Sequence, residues 1–140
     1  MTQGSLASIR SRLATALESR AEILEAYLFG SQATGHAQAH SDIDVAVYVT
    51  PGYPLDGGYG YCAELTADLM ATLATNAIDV VLLNRAPPVL YHRVLAHGIR
   101  LLSRNLAATT TREGQAFSRY CDYLPQLAKI EASRRAEDEK

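Results

Sequence analysis

Two short β-branched runs, each with an aspartate near its start, constrain this chain more than any other feature. Ile43-Asp44-Val45-Ala46-Val47-Tyr48-Val49 alternates as a strand does and stops at Pro51-Gly52, and Ile78-Asp79-Val80-Val81-Leu82-Leu83 reads as a further strand. Between them, Thr50 to Gly60 holds two prolines and four glycines, which is loop chemistry, and Tyr61 to Ala74 returns to helical spacing. A strand, helix and strand in that order predict two parallel strands joined by a right-handed crossover. Their starts then lie at one end. Asp42 and Asp44, two residues apart, project from the same side of the chain. If the strands are neighbours, Asp79 completes a three-carboxylate cluster.

The remaining elements fit around this pair. Leu6, Ile9, Leu13, Ala16, Leu17 and Leu24 recur every three or four positions, so a helix is expected over Leu6 to Leu24. Ala26-Tyr27-Leu28-Phe29 predicts a strand that Gly30 stops. Pro87-Pro88 suits the first turn of a helix ending near Gly98, and Ile99 to Leu102 reads as a fourth strand. A last helix is expected over about 112–136, with Phe117, Tyr120, Cys121, Leu124 and Leu127 as its apolar stripe and a kink or division at Pro125. A chain of 140 residues, 48% of them hydrophobic, has room for one core, so residues 1–140 are expected to form a single domain. These elements predict the α/β class with α+β character, ending in a C-terminal helix.

Composition excludes several functions. A formal net charge of −2 gives no broad attraction for a phosphate backbone, so direct nucleic-acid binding is not expected. No stretch approaches the ~20 apolar residues that span a bilayer, and the first residues lack the basic start and apolar run of a signal peptide, so a cytoplasmic protein is expected. Cys62 and Cys121 show no ligand spacing and read as reduced, small buried hydrophobes. His36, His40, His92 and His97 show no ligand spacing either. Tyr53, Tyr59 and Tyr61 cluster in the glycine-rich loop, where stacking on a base is the less favoured alternative to ordinary exposure.

The chemistry lies in the carboxylates and one turn. Adjacent like charges raise each other's pKa unless a cation neutralises them, and an all-oxygen set favours a hard ion such as Mg²⁺. Asp42, Asp44 and Asp79 together could hold two ions ~3.5–4 Å apart, the arrangement of in-line phosphoryl transfer, with Asp79 best placed to help an acceptor hydroxyl lose its proton. Gly30-Ser31 follows a strand and precedes a polar segment, so it can seat phosphate at a helix amino terminus. Neither the P-loop nor the dinucleotide-binding glycine pattern is present. Taken alone, Gly-Ser is a common turn and Asp-x-Asp a solvated strand start. Gly-Ser, ten intervening residues, Asp-x-Asp and a lone aspartate in an apolar run form an ordered set with one chemical purpose.

Leu28-Phe29-Gly30-Ser31 through Ser41-Asp42-Ile43-Asp44, with Ile78-Asp79-Val80 as the third acidic position, resembles the polymerase-beta-like nucleotidyltransferase superfamily. Within it the chain is similar to the minimal nucleotidyltransferase (MNT) antitoxins paired with HEPN-domain toxins. That resemblance implies the nucleotidyltransferase fold, a small mixed β-sheet flanked by helices, with ATP as substrate, Mg²⁺, and transfer of AMP to a tyrosine hydroxyl of a partner HEPN ribonuclease, which silences it in a hetero-oligomer. By position Gly30 and Ser31 would hold phosphate, Asp42, Asp44 and Asp79 the metals, and Asp79 would also assist deprotonation. Relatives often carry arginine just before the second glycine of this segment, where Thr34 stands here, which weakens the expected grip on triphosphate. Two other functions compete: a small-molecule adenylyltransferase of the antibiotic-modifying kind, and an antitoxin that masks its partner without catalysis.

Overall fold

The computed structural model describes residues 6–30 and 42–138. The chain runs α1 (Leu6–Glu18), β1 (Ile23–Phe29), β2 (Ile43–Val49), α2 (Tyr61–Leu73), β3 (Ile78–Leu82), a 3₁₀ turn (Leu83–Arg85), α3 (Pro88–His97), β4 (Ile99–Ser103) and α4 (Leu106–Asp138). The strands form one sheet in the order β3-β2-β1-β4. β2 and β3 are parallel, as the intervening helix requires, while β1 pairs antiparallel with both β2 and β4. The expected mixed sheet flanked by helices is what forms.

Both faces of the central strands are covered, which explains their nearly unbroken apolar sequences. On one face Ala26 and Leu28 of β1 and Val45, Val47 and Val49 of β2 pack with Leu13 and Leu17 of α1 and Leu65 and Leu69 of α2. Tyr27 and Ala46 point the other way, onto Tyr91 and Val94 of α3 and Ala116 of α4. Asn84 extends the ladder at the far end of β2, accepting from the Val49 amide (2.9 Å) and donating to its carbonyl (2.8 Å).

Several boundaries differ from the sequence expectation, each for a long-range reason. α1 stops at Glu18 rather than Leu24, because Arg104 donates to the carbonyls of Glu18 (2.8 Å), Arg20 (2.9 Å) and Ile23 (2.6 Å) and holds the turn into β1. β1 begins at Ile23, three residues before the expected strand, and includes Glu25. α4 begins at Leu106 instead of 112, with Asn105 accepting from the Ala108 amide at 3.0 Å as its cap. It continues through Pro125 as one helix and is not divided there.

Glu25 is the buried charge of the fold, with no exposed surface. Arg112 grips it through Nε (2.6 Å) and Nη2 (2.5 Å), Thr109 donates a third bond at 3.0 Å, and the guanidinium lies 4.8 Å from the centre of the Tyr48 ring. This network fastens the first turns of α4 to β1. Removing one partner of a buried pair strands the other charge. Arg112→Ala is therefore expected to lower unfolding free energy by about 3 kcal/mol in urea titration, the low end of the range because the guanidinium keeps some solvent.

Candidate active site

Strand register brings the expected site together. Asp44 pairs with Asp79 across the parallel β2–β3 ladder, and on its other side with Phe29, the last residue of β1. Asp42 stands exposed immediately before β2. Gly30, Asp42, Asp44 and Asp79 thus occupy one end of the sheet. Alternation along β2 puts Asp44 on the face shared with Ala46 and Tyr48, the face that α3 and α4 cover further along.

Gly30 is set against Asp44. Its φ is +77°, in the left-handed region, and a Cβ built there would lie 2.2 Å from Asp44 Oδ2 and 3.1 Å from its Cγ. A side chain at position 30 would push the carboxylate away, so glycine is required for the aspartate as well as for the turn. Ser31, the other half of the expected phosphate seat, lies outside the described residues, as do His36 and His40.

The electrostatics follow the geometry. Partial burial pushes the Asp44 carboxyl above its ordinary range, and the charges of Asp79 and then Asp42 raise it further. Such mutual repulsion is what a bound cation relieves. Among the described residues no three His, Cys, Asp or Glu side chains close into a ligand group. Asp42 and Asp79 are both exposed at the sheet end where Asp44 lies. An all-oxygen set of three carboxylates at one strand end suits a hard divalent ion and no softer metal.

Within residues 11–107 the sequence matches the polymerase beta, nucleotidyltransferase family. The chain belongs to that family. The nucleotidyltransferase fold is also found in solved structures. One is the tri-AMPylated HEPN toxin of Shewanella oneidensis in complex with an MNT antitoxin (TM-score 0.70, 23% identity, covering 92% of this chain and 98% of that one). Another is a toxin–antitoxin complex with AMP-PNP (TM-score 0.63, 24% identity, 93% and 95% covered). A minimal nucleotidyltransferase aligns at 28% identity (TM-score 0.57, 71% and 98% covered). Among curated protein sequences there is no match.

Other residues weighed from the sequence fall elsewhere. Tyr53 and Tyr59 follow the far end of β2, about 20 Å from the carboxylates for a strand of this length, which removes them as base-stacking candidates. Tyr61 is buried at the start of α2 and donates to Glu22 (2.6 Å). Cys62 is half-buried and Cys121 exposed; both are free thiols, so the expectation of two buried cysteines holds for neither in full. His92 stacks on Tyr120, ring centres 3.7 Å apart, and His97 is exposed in the last turn of α3. No helix among the described residues is long and apolar enough to cross a membrane.

Two outcomes test this geometry. Gly30→Ala is expected to keep the fold by circular dichroism while lowering nucleotidyl transfer by roughly 10²-fold, the scale of an ångström-sized misplacement of a reacting group; wild-type rates would show that Asp44 needs no such space. Because the folded-state pKa of Asp44 is raised, its charged form destabilises the fold above that pKa, and the penalty disappears as the carboxyl protonates. In buffer free of divalent cations, Asp44→Asn should therefore have a higher urea midpoint than wild type at pH 7, with the gap closing toward pH 4.

Proposed function

We propose that the chain is an antitoxin that transfers AMP from ATP, with Mg²⁺, to a tyrosine hydroxyl of a partner HEPN ribonuclease and so neutralises it in the cytoplasm. The observation that carries this reading is the in-register Asp44–Asp79 pair beside Gly30 in a chain of the nucleotidyltransferase family. The fold neighbours that are toxin–antitoxin complexes, one with a tri-AMPylated toxin and one with AMP-PNP, point to the partner and the nucleotide.

Mg²⁺ bound by Asp42, Asp44 and Asp79 would neutralise triphosphate charge and lower the pKa of the acceptor hydroxyl. Gly30 lets the backbone approach the phosphates, and Ser31 would add a hydroxyl donor. The acceptor oxygen attacks the α-phosphorus, a new P–O bond forms, and the bond to the bridging oxygen of pyrophosphate breaks with its electron pair leaving on pyrophosphate. The acceptor proton passes to Asp79, which is exposed at the sheet edge and open to an incoming protein. The whole chain, residues 1–140, acts in this reading as one nucleotidyltransferase domain.

Intact-mass spectrometry of the HEPN-domain protein, mixed with this chain, ATP and Mg²⁺, tests the assignment. One or more AMP units should be added by wild type and none by the Asp42→Ala, Asp44→Ala double variant, whose fold should persist because clustered like charges are being removed. Full activity of the double variant would reject the site. The exposed apolar side chains of α4 favour a second reading, neutralisation by masking alone, in which the double variant protects against the toxin as well as wild type does.

A further inference from the structure

α4 is about 50 Å long, and the sheet supports only about its first third. The helix runs back along β4, which can be followed contact by contact. Thr109 Oγ1 lies 2.7 Å from Ser103 Oγ, at the last residue of β4. Further along, Glu113 accepts from Tyr27 (2.7 Å) and from Arg100, near the strand's start. Phe117 shares a cavity with Gly98, the residue before β4. Ile99 pairs with Leu28, just short of Gly30, so Phe117 has reached the carboxylate end of the sheet. From Ser118 to Asp138 the helix projects about 30 Å past that end. None of those residues is buried, and the stacking of Tyr120 on His92 is close to the body's last hold on it.

The face that packs on the body does not stop where the body does. Glu113 and Ala116 point inward, and steps of three and four residues continue that face through Tyr120, Tyr123, Leu127 and Ile130. It is apolar to Ile130, which is 41% exposed. Beyond the sheet this face extends past the strand end that carries Asp42, Asp44 and Asp79, from the edge strand β4. At the root of the arm a cavity of about 600 Å³, lined by His92, Leu95, Ala96 and Phe117 over Tyr27, is large enough to receive an anchoring side chain.

We infer that Tyr120, Tyr123, Leu127 and Ile130 form the docking surface for the protein acceptor, a helical partner with an apolar stripe of its own that lies in the angle between the arm and the carboxylate end. This rests on the transfer reading above. Area separates the acceptor from a second copy of this chain. A helix face about 30 Å long and ~10 Å wide offers roughly 300 Å². A stable interface needs about 800 Å² per partner. Self-pairing through the arm alone falls well short, whereas a partner seated in the angle adds the sheet end and the cavity mouth. The arm thereby fixes the acceptor's orientation, and Asp79 receives it at the sheet edge.

The test uses the full chain and a HEPN-domain protein. Leu127→Asp with Ile130→Asp is compared with Ala132→Asp on the opposite side of the helix; Leu127 is half-buried and the other two are exposed, and folding is checked by circular dichroism. The double variant should bind the HEPN protein roughly 30-fold more weakly by calorimetry. At a partner concentration below saturation its AMP transfer should fall in step with the lost binding, and Ala132→Asp should change neither quantity. AMP added to the partner with binding indifferent to the double substitution overturns the docking surface alone. Seam-dependent binding without any mass gain overturns the acceptor role and the transfer reading with it. A homodimer abolished by the double variant, with partner affinity intact, assigns the face to a second copy instead.

Discussion

Three carboxylates held at one end of a sheet repel one another, and much of this structure supplies the restraint that keeps them together. Asp44 and Asp79 cannot part without breaking the parallel β2–β3 ladder. Asn84 ties the other end of β2 through the oxygen and the nitrogen of its side-chain amide, and leucines from α1 and α2 press on the face behind. Partial burial adds to the repulsion at Asp44. A cavity for the Asp44 carboxylate exists because position 30 has no side chain. Packing energy is thus used to hold charge in an arrangement that water alone would disperse.

The same fold places its second charge problem at the far end of β1. Glu25 is neutralised by Arg112 and Thr109, and that contact decides where α4 leaves the sheet. Tyr27 sits between the two regions. Burial and then its bond to Glu113 hold its hydroxyl in the protonated state, so it acts as a fixed donor rather than as a base. The root of α4 is therefore fastened by three polar contacts along the strand whose other end is Gly30.

What was legible in the sequence follows from how local each signal is. The parallel pair β2–β3 and its aspartates could be read because alternation, loop composition and helical spacing are short-range patterns. α3 with its proline start was legible for the same reason, whereas the mixed sheet came only from the family resemblance, since antiparallel pairing of β1 with β2 and β4 leaves no local signal. The start of β1 was not. Glu25 looks like the edge of an apolar run, and the arginine that makes it acceptable lies 87 residues away. The end of α1 is hidden likewise, since Arg104 sets it from beyond the fourth strand. α4 began earlier than expected because three consecutive threonines at 109–111 weaken the helical signal, although Thr109 is buried against Glu25. Phe117, Cys121 and Leu124 read as part of one apolar stripe, facing either the core or a partner; all three are exposed, because periodicity reports a face without telling where the body beneath it ends.

The match to the nucleotidyltransferase family ends at residue 107, only two residues into α4. Arg104 closes the fold just before that point by bonding back to the end of α1. After Ala116 no described residue is buried, and the contacts with the body that remain are Phe117 and Tyr120 on His92 and Arg119 over the Tyr91 ring. The chain thus divides into a part that the family match covers and a helical extension held to it by a few ring contacts. A change at the distal end of that extension alters the surface it presents and leaves the strand register that sets Asp44 beside Asp79 as it is.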